Sequence, residues 1–172
     1  MSQNRPSAPP FPFPPDQTLY APSAIYKSTT TLPISTIPPE FVRADLEFIG
    51  VDHSGPSFEA RVFVNNPTAD INTPPTEASG YAGSFNVFGH GGCFGDVGHC
   101  DVQERADTFD PRPSHPLAPM KKVVIATNAI RNAVKQGADI NVTVVPLVKS
   151  WTDKTAINEV LQFDHINLIT YR

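Results

Sequence analysis

The sequence predicts an all-β fold: an antiparallel β-sandwich of jelly-roll type with one short helix and an extended, proline-rich N-terminal arm. Three observations support this prediction. Apolar and polar residues alternate with period two from Phe41 onward, and a single segment has helical periodicity. Ten of the nineteen prolines lie in the first 39 residues. We therefore divide the 172 residues into an arm, 1–40, and one sandwich domain, 41–172.

The arm contains a segment, residues 7–15, that cannot form a helix or an inner strand, because proline lacks the N–H group and restricts the residue before it. Extended polyproline II is the expected local shape. The arm contains no glycine but many apolar side chains: Phe11, Phe13, Leu19, Tyr20, Ile25, Tyr26, Leu32, Ile34 and Ile37. A solvated tail carries fewer apolar side chains than this. We expect the arm to pack on its own domain or on a neighbouring subunit in a homo-oligomer, with a disordered linker as the alternative.

Two alternating runs open the domain, at residues 42–48 and 58–64. The connection between them contains turn residues and has hairpin length, so a hairpin is expected. The second run places Phe58, Ala60, Val62 and Val64 on one face. After a Pro- and Thr-rich loop at 67–79, a third strand is predicted at 81–88.

The second half of the domain contains a short strand at 121–126 and then the one predicted helix, 128–136. Thr127 is the expected N-cap and Gly137 the C-terminal stop. Ile130, Ala133 and Val134 share one face of this helix. Two more strands are predicted at 139–148 and 160–171. Six strands with one helix are typical of an antiparallel sandwich.

The glycine-rich loop, residues 88–101, holds both cysteines, two of the five histidines and five of the ten glycines. His90, Cys93, His99 and Cys100 have the spacing H-x-x-C-x5-H-C. Thiolate and imidazole ligands suit zinc or Cu(I), and the glycines allow the backbone to turn tightly between them. A disulfide between the two cysteines is a second interpretation. Buried thiols with hydrogen-bonded histidines are a third.

Acid–base chemistry is a separate hypothesis for the same region. His115 lies in the irregular span after the glycine-rich loop, and a neutral imidazole is suited to proton transfer. With His90 and Asp101 it forms the candidate catalytic set; a solvent-facing histidine is the alternative. His53, in a turn, and His165, in the last strand, are interpreted as structural.

Several stretches also resemble a known family, the C-terminal β-sandwich domain that follows the dicopper domain in tyrosinases and polyphenol oxidases. They are Phe58–Asn65, Tyr81–His90, Lys122–Val134, and the closing strands Asn141–Pro146 and Phe163–Leu168. The resemblance implies a sandwich that docks on an oxidase, where it shields the copper site or assists copper loading. A dicopper centre needs six histidines; this chain has five and no H-x-x-x-H pair. The resemblance therefore implies an accessory domain rather than the oxidase itself.

Composition excludes other classes. The net charge of -4 gives no basic footprint for nucleic acid or an anionic membrane, and no apolar run approaches the ~20 residues that span a bilayer. The N-terminus lacks a signal-peptide core, which favours the cytoplasm. Two functions follow. The first is a non-catalytic accessory domain that binds copper or delivers it to a tyrosinase-type oxidase. The second is a small enzyme on the same scaffold, acting on an aromatic or apolar small molecule.

Overall fold

A computed structural model of the chain describes residues 20–21, 23–28, 31–89, 119–149 and 160–172. In this part of the chain there are eight strands, one α-helix and two 3-10 turns, at Ile34–Thr36 and Glu77–Ser79. The strands are β1 Tyr20–Ala21, β2 Tyr26–Lys27, β3 Arg43–Val51, β4 Phe58–Val64, β5 Tyr81–Val87, β6 Met120–Ile125, β7 Val142–Lys149 and β8 His165–Tyr171, and the helix is α1 Thr127–Lys135. They form two antiparallel sheets, which confirms the predicted sandwich class.

The first sheet has the order β1-β7-β4-β5, with β2 also paired to β7, and the second has the order β6-β3-β8. The expected β3–β4 hairpin is wrong, because the two strands lie in different sheets and residues 52–57 cross between them. Both strands bury one face in the same core, β3 through Leu46 and Phe48 and β4 through Ala60 and Val62. The strands therefore face each other across the sandwich. A connection of this length allows either arrangement, so its length did not distinguish them.

Aromatic side chains fill the centre of the core between the sheets. The ring of Phe48 lies 4.8 Å from that of Phe85 and 5.4 Å from that of Phe163. Phe85 and Val87 are buried, as the alternation in β5 predicts. Burial of each large apolar side chain stabilises the fold by roughly 1.5–3 kcal/mol, so this cluster holds the two sheets together.

Strand β7 is buried on both faces. Val142, Val144 and Val148 belong to the core between the sheets. Val145 and Leu147 point the other way and form a second apolar cluster with Phe63 and Ala69, against which Ile25 and Tyr81 pack. A strand covered on both faces reads as a continuous apolar run rather than as an alternating one. The chain itself therefore covers the outer face of the first sheet around β7, whereas Ser84 and Asn86 on β5 stay exposed.

The described part of the arm forms a broken edge strand along β7. Tyr20 is paired with Lys149, Tyr26 with Val144, and Leu32 makes an isolated bridge to Ile140. The ring of Tyr26 also lies 4.7 Å from that of Phe163. Residues 20–21 and 23–28 therefore cover the β7 edge, and Tyr26 contacts the segment just before β8. Residues 1–19 lie outside the described part, and the division of the chain at residue 40 stays a prediction.

Helix α1 closes one end of the sandwich, which we call the helix end, and buries Ala129, Ile130 and Ala133. The predicted N-cap is wrong: Ala126 holds that position, and Thr127 is the first helical residue. The Thr127 hydroxyl instead accepts a hydrogen bond from the backbone N–H of Ala44 at 3.1 Å, so it ties the helix to β3. Gly137, with φ of +67°, ends the helix as predicted, since glycine adopts the left-handed conformation without strain.

Candidate functional site

The opposite end of the sandwich, the loop end, is where the glycine-rich loop begins. The register pairs Val51 with Met120, Phe58 with Val87 and Ile49 with His165. The last residues of β5 and the first residues of β6 and β8 are therefore neighbours there. The described residues that flank segments 90–118 and 150–159 also lie at this end.

Gly89 fixes the start of the loop. Its backbone N–H donates to Ser57 Oγ at 2.9 Å. A Cβ at this position would lie 2.2 Å from the carbonyl oxygen of Gly55 and 2.3 Å from the carbonyl carbon of Pro56. Two backbones cross here with no room for a side chain. At this glycine the close approach is made by the chain's own turn rather than by a partner.

The predicted metal ligands and acid–base residues lie outside the described residues. These are His90, Cys93, His99, Cys100, Asp101 and His115. Their roles stay predictions. In the part of the chain that the structure describes, no group of three or more His, Cys, Asp or Glu side chains is arranged to hold a metal ion.

The two remaining histidines both lie at the loop end. His53 is in the crossing between the sheets and is 4% exposed. His165 is the first residue of β8 and is exposed. Neither lines a groove among those found in the described structure. The structural roles that we assigned to them stay predictions.

A large groove lies at the helix end, and its lining differs from the one expected for the predicted acid–base chemistry. It is open, encloses about 700 Å³, and is lined by Pro39, Glu40, Phe41, Val42, Arg131, Val134, Lys135 and Arg172. The Arg131 guanidinium donates to the carbonyl oxygens of Phe41 (3.1 Å) and Val42 (3.0 Å) and lies 5.5 Å from the centre of the Phe41 ring. This cation is therefore occupied in joining α1 to the start of β3. None of the described lining residues is a histidine, the residue type predicted for acid–base chemistry.

The outer face of the second sheet, which we call the open face, exposes several apolar side chains. Three of its apolar side chains are exposed: Val123 (39%), Ile125 (59%) and Tyr171 (43%). They point away from the core because their strand neighbours Val124 and Thr170 pair with the inward residues Leu46 and Ala44. Single exposed apolar residues are ordinary, but a set on one sheet face is typical of an interaction surface.

The charged groups of the open face are paired within the chain. Arg43 Nε lies 2.7 Å from Asp45 Oδ1 and Arg43 Nη2 lies 2.8 Å from Oδ2, so the pair is bidentate. Asp45 is 2% exposed, between Ile125 on β6 and Ile169 on β8. The hydrogen bonds to Asp45 raise the pKa of the Arg43 guanidinium above its usual value. The face therefore presents alkyl and aromatic groups around a neutralised ion pair.

A second ion pair lies one step further along the same strands. The Lys121 ammonium contacts Glu47 Oε1, and this hydrogen bond raises the pKa of Lys121. The ring of Tyr171 lies 5.5 Å from the guanidinium carbon of Arg43.

Sequence reasoning missed this face because Lys-Lys-Val-Val-Ile at 121–125 does not alternate. The signal available was the β3 pattern, in which Arg43, Asp45 and Glu47 alternate with buried residues.

The fold defines the class of the protein as a two-sheet antiparallel β-sandwich. No family model matches the sequence, and no curated protein matches it. Among solved structures, the chain is similar to a latent aurone synthase (polyphenol oxidase) from natural source, with a TM-score of 0.45 and 14% identity over 86% of this chain. A recombinantly expressed latent aurone synthase (polyphenol oxidase) gives a TM-score of 0.43 and 15% identity over the same 86%.

These matches are likenesses of fold at low identity. The chain spans 24% of the length of each of those two proteins. Separately, no helix in the described residues is both long enough and apolar enough to cross a membrane.

Proposed function

We propose that the chain is a non-catalytic interaction domain that docks on a tyrosinase-type dicopper oxidase in the cytoplasm and supplies it with copper. The observation that carries this proposal is the open face. On the first sheet the arm and the second cluster cover the outer apolar side chains around β7, whereas the second sheet exposes Val123, Ile125 and Tyr171. Since the neighbouring charges are already paired, the face suits an apolar, uncharged counter-surface. The sequence motifs that resemble the tyrosinase sandwich domain indicate that the partner is a tyrosinase-type oxidase.

The glycine-rich loop would bind the copper that the chain supplies. Residues 102–119 connect it to β6, and Val123 lies three residues, or about 10 Å, beyond the first residue of that strand. A partner bound to the open face would therefore lie near the point where the chain enters β6. His90, Cys93, His99 and Cys100 offer two thiolates and two imidazoles, a donor set suited to Cu(I). A reducing cytoplasm keeps thiols available for metal and disfavours the disulfide.

Titration with Cu(I) under reducing conditions tests the metal site. We expect one Cu(I) per chain, held against a chromogenic chelator, and loss of that binding when Cys93 and Cys100 are both replaced by serine. His165→Gln is the matched control, because it removes an exposed histidine outside the loop and should leave binding unchanged. Equal binding by the double-serine variant, or absence of free thiols in the native protein, contradicts the copper role.

Co-purification tests docking. The chain should form a complex with the tyrosinase-type oxidase encoded by the same genome, and Ile125→Lys should weaken that complex about tenfold or more by placing a charge in an apolar contact. Ile71→Lys is the control, since Ile71 is also exposed but lies in the 67–79 loop rather than on the open face. A genome without such an oxidase, no association at micromolar concentrations, or equal effects of the two variants would reject the proposal.

A further inference from the structure

The free edge of β8 carries an inference that does not depend on the proposed function. Among the described strands, β8 pairs only with β3, so no described strand pairs with the backbone N–H and C=O groups of its other edge. Its seven residues, His-Ile-Asn-Leu-Ile-Thr-Tyr, include no proline, glycine, lysine, arginine or carboxylate. Edge strands of monomeric proteins ordinarily carry such residues, because an unprotected edge pairs with another strand.

The other described edges have the protection that β8 lacks. On the first sheet, β5 contains Gly83 at φ +144°, and its pairing with β4 shifts register between Val62 and Phe63. The opposite edge of that sheet is formed by β1 and β2, which are two residues long each. On the second sheet, β6 carries Lys121 and Lys122. The absence of protection is therefore particular to β8 within this part of the chain.

We propose that a second copy of this chain pairs with β8, antiparallel, in a twofold-symmetric dimer centred on Leu168. This register places His165 opposite the partner's Tyr171, and Asn167 opposite the partner's Ile169. It is the register that pairs all seven residues of the strand. It also keeps outward side chains opposite outward ones, as a continuous sheet requires. The two three-stranded sheets then become one six-stranded sheet.

Charge complementarity supports a second copy as the occupant. The same register places Asp164 opposite the partner's Arg172, and symmetry repeats the pair at the other end of the strand. Both residues are exposed in the single chain. Opposite charges facing each other across paired strands are favourable, and no like charges face each other in this arrangement. The strand is therefore complementary to itself in charge as well as in length.

Apolar contact adds to the backbone pairing. Ile166 and Leu168 are half-buried in the single chain, where they pack against the edge of the core. In the dimer Leu168 faces the partner's Leu168, and Ile166 faces the partner's Thr170, which removes more of their surface from water. An isologous contact uses the β8 edge of both chains at once, so the assembly closes at two copies and does not extend into a fibre.

Sedimentation combined with amide hydrogen exchange tests the dimer. We expect the native chain to form dimers at micromolar concentrations, and the amides of residues 165–171 to exchange more slowly as concentration rises. A chain that stays monomeric at the highest soluble concentration overturns the proposal. So does open-ended association, or a dimer in which exchange in β8 does not change, since a dimer formed through the arm would leave β8 exposed.

A charge-swap series tests the register. Arg172→Glu should weaken the dimer about tenfold, because two attractive cross-strand pairs become repulsive. Adding Asp164→Lys to this variant should restore most of the lost affinity. Circular dichroism and thermal unfolding confirm that each variant is folded. If the double variant is folded and dimerises no better than Arg172→Glu, the register centred on Leu168 is wrong.

A second pair of variants is independent of Asp164, whose side chain lies against Gly50. Asn167 and Val123 both lie opposite Glu47, Asn167 on the β8 edge and Val123 on the β6 edge. Asn167→Lys should weaken the dimer several-fold because lysine protects an edge. Val123→Lys, in the same row of the sheet, should leave it unchanged. Equal effects of the two would overturn pairing through β8.

Discussion

At the scale of single residues, the loop end depends on contacts with no room for a Cβ. Gly89 meets the backbone of Gly55 and Pro56, and Gly50, with φ of +72°, meets the carboxylate of Asp164. The first position joins β5 to the β3–β4 crossing, and the second joins β3 to the turn before β8. These glycines position the residue before segment 90–118 and the turn that follows segment 150–159. Their role follows from packing, which a count of glycines in the sequence does not show.

Gly89→Ala should destabilise the protein by about 1–3 kcal/mol, because the new Cβ would meet backbone atoms that cannot rotate away. Urea unfolding measures the change as a lower midpoint at an unchanged slope. Gly55→Ala is the matched control, since a Cβ there meets nothing within 4 Å. Equal midpoints for the two variants would show that the turn gives way easily, and that Gly89 does not fix the loop.

At the scale of elements, the sequence pattern predicted β3 to β8 and the helix to within about five residues, because each has at least one face against the core. The sequence contains less information about which strands pair with each other. The sequence placed β3 and β4 correctly but not the crossing of residues 52–57 between sheets, since the same turn residues serve a hairpin and a crossing. Thr127 has the chemistry of an N-cap, yet its hydroxyl accepts from Ala44, a contact between residues far apart in sequence. Local patterns carry no information about such partners.

The candidate site likewise has one part that the sequence predicts and one part that it does not. Residue chemistry alone selects His90, Cys93, His99 and Cys100, because soft ligands at close spacing are visible in a sequence. The open face was not visible, since it depends on which side of β6 faces water. Val123 and Val124 are adjacent and chemically identical, but Val124 is buried and Val123 is exposed. The register against β3 decides this difference.

At the scale of the whole molecule, the two sheets are completed by different means. The arm closes the edge of the first sheet, and Ile25 packs on its outer cluster with Phe63 and Leu147. The second sheet keeps an open face and, within the described residues, an open β8 edge. An asymmetry of this kind separates a surface that is needed for folding from one that is available for binding. The separation predicts that changes to the arm affect stability and changes to the open face affect association.

The arm therefore provides the last prediction. Ile25→Ala should destabilise the fold by about 1–2 kcal/mol, less than for a fully buried isoleucine, because Ile25 is half-buried against the second cluster. Urea unfolding gives the magnitude, and limited proteolysis should cleave the variant faster within residues 20–28, where the broken edge strand is released. Ile71→Ala is the control, since Ile71 is exposed in the 67–79 loop and should cost less than about 0.5 kcal/mol. If both variants unfold at the same urea concentration and are cleaved at the same rate, the arm lies on the surface without supporting the sheet, and β7 keeps its outer face buried by other means.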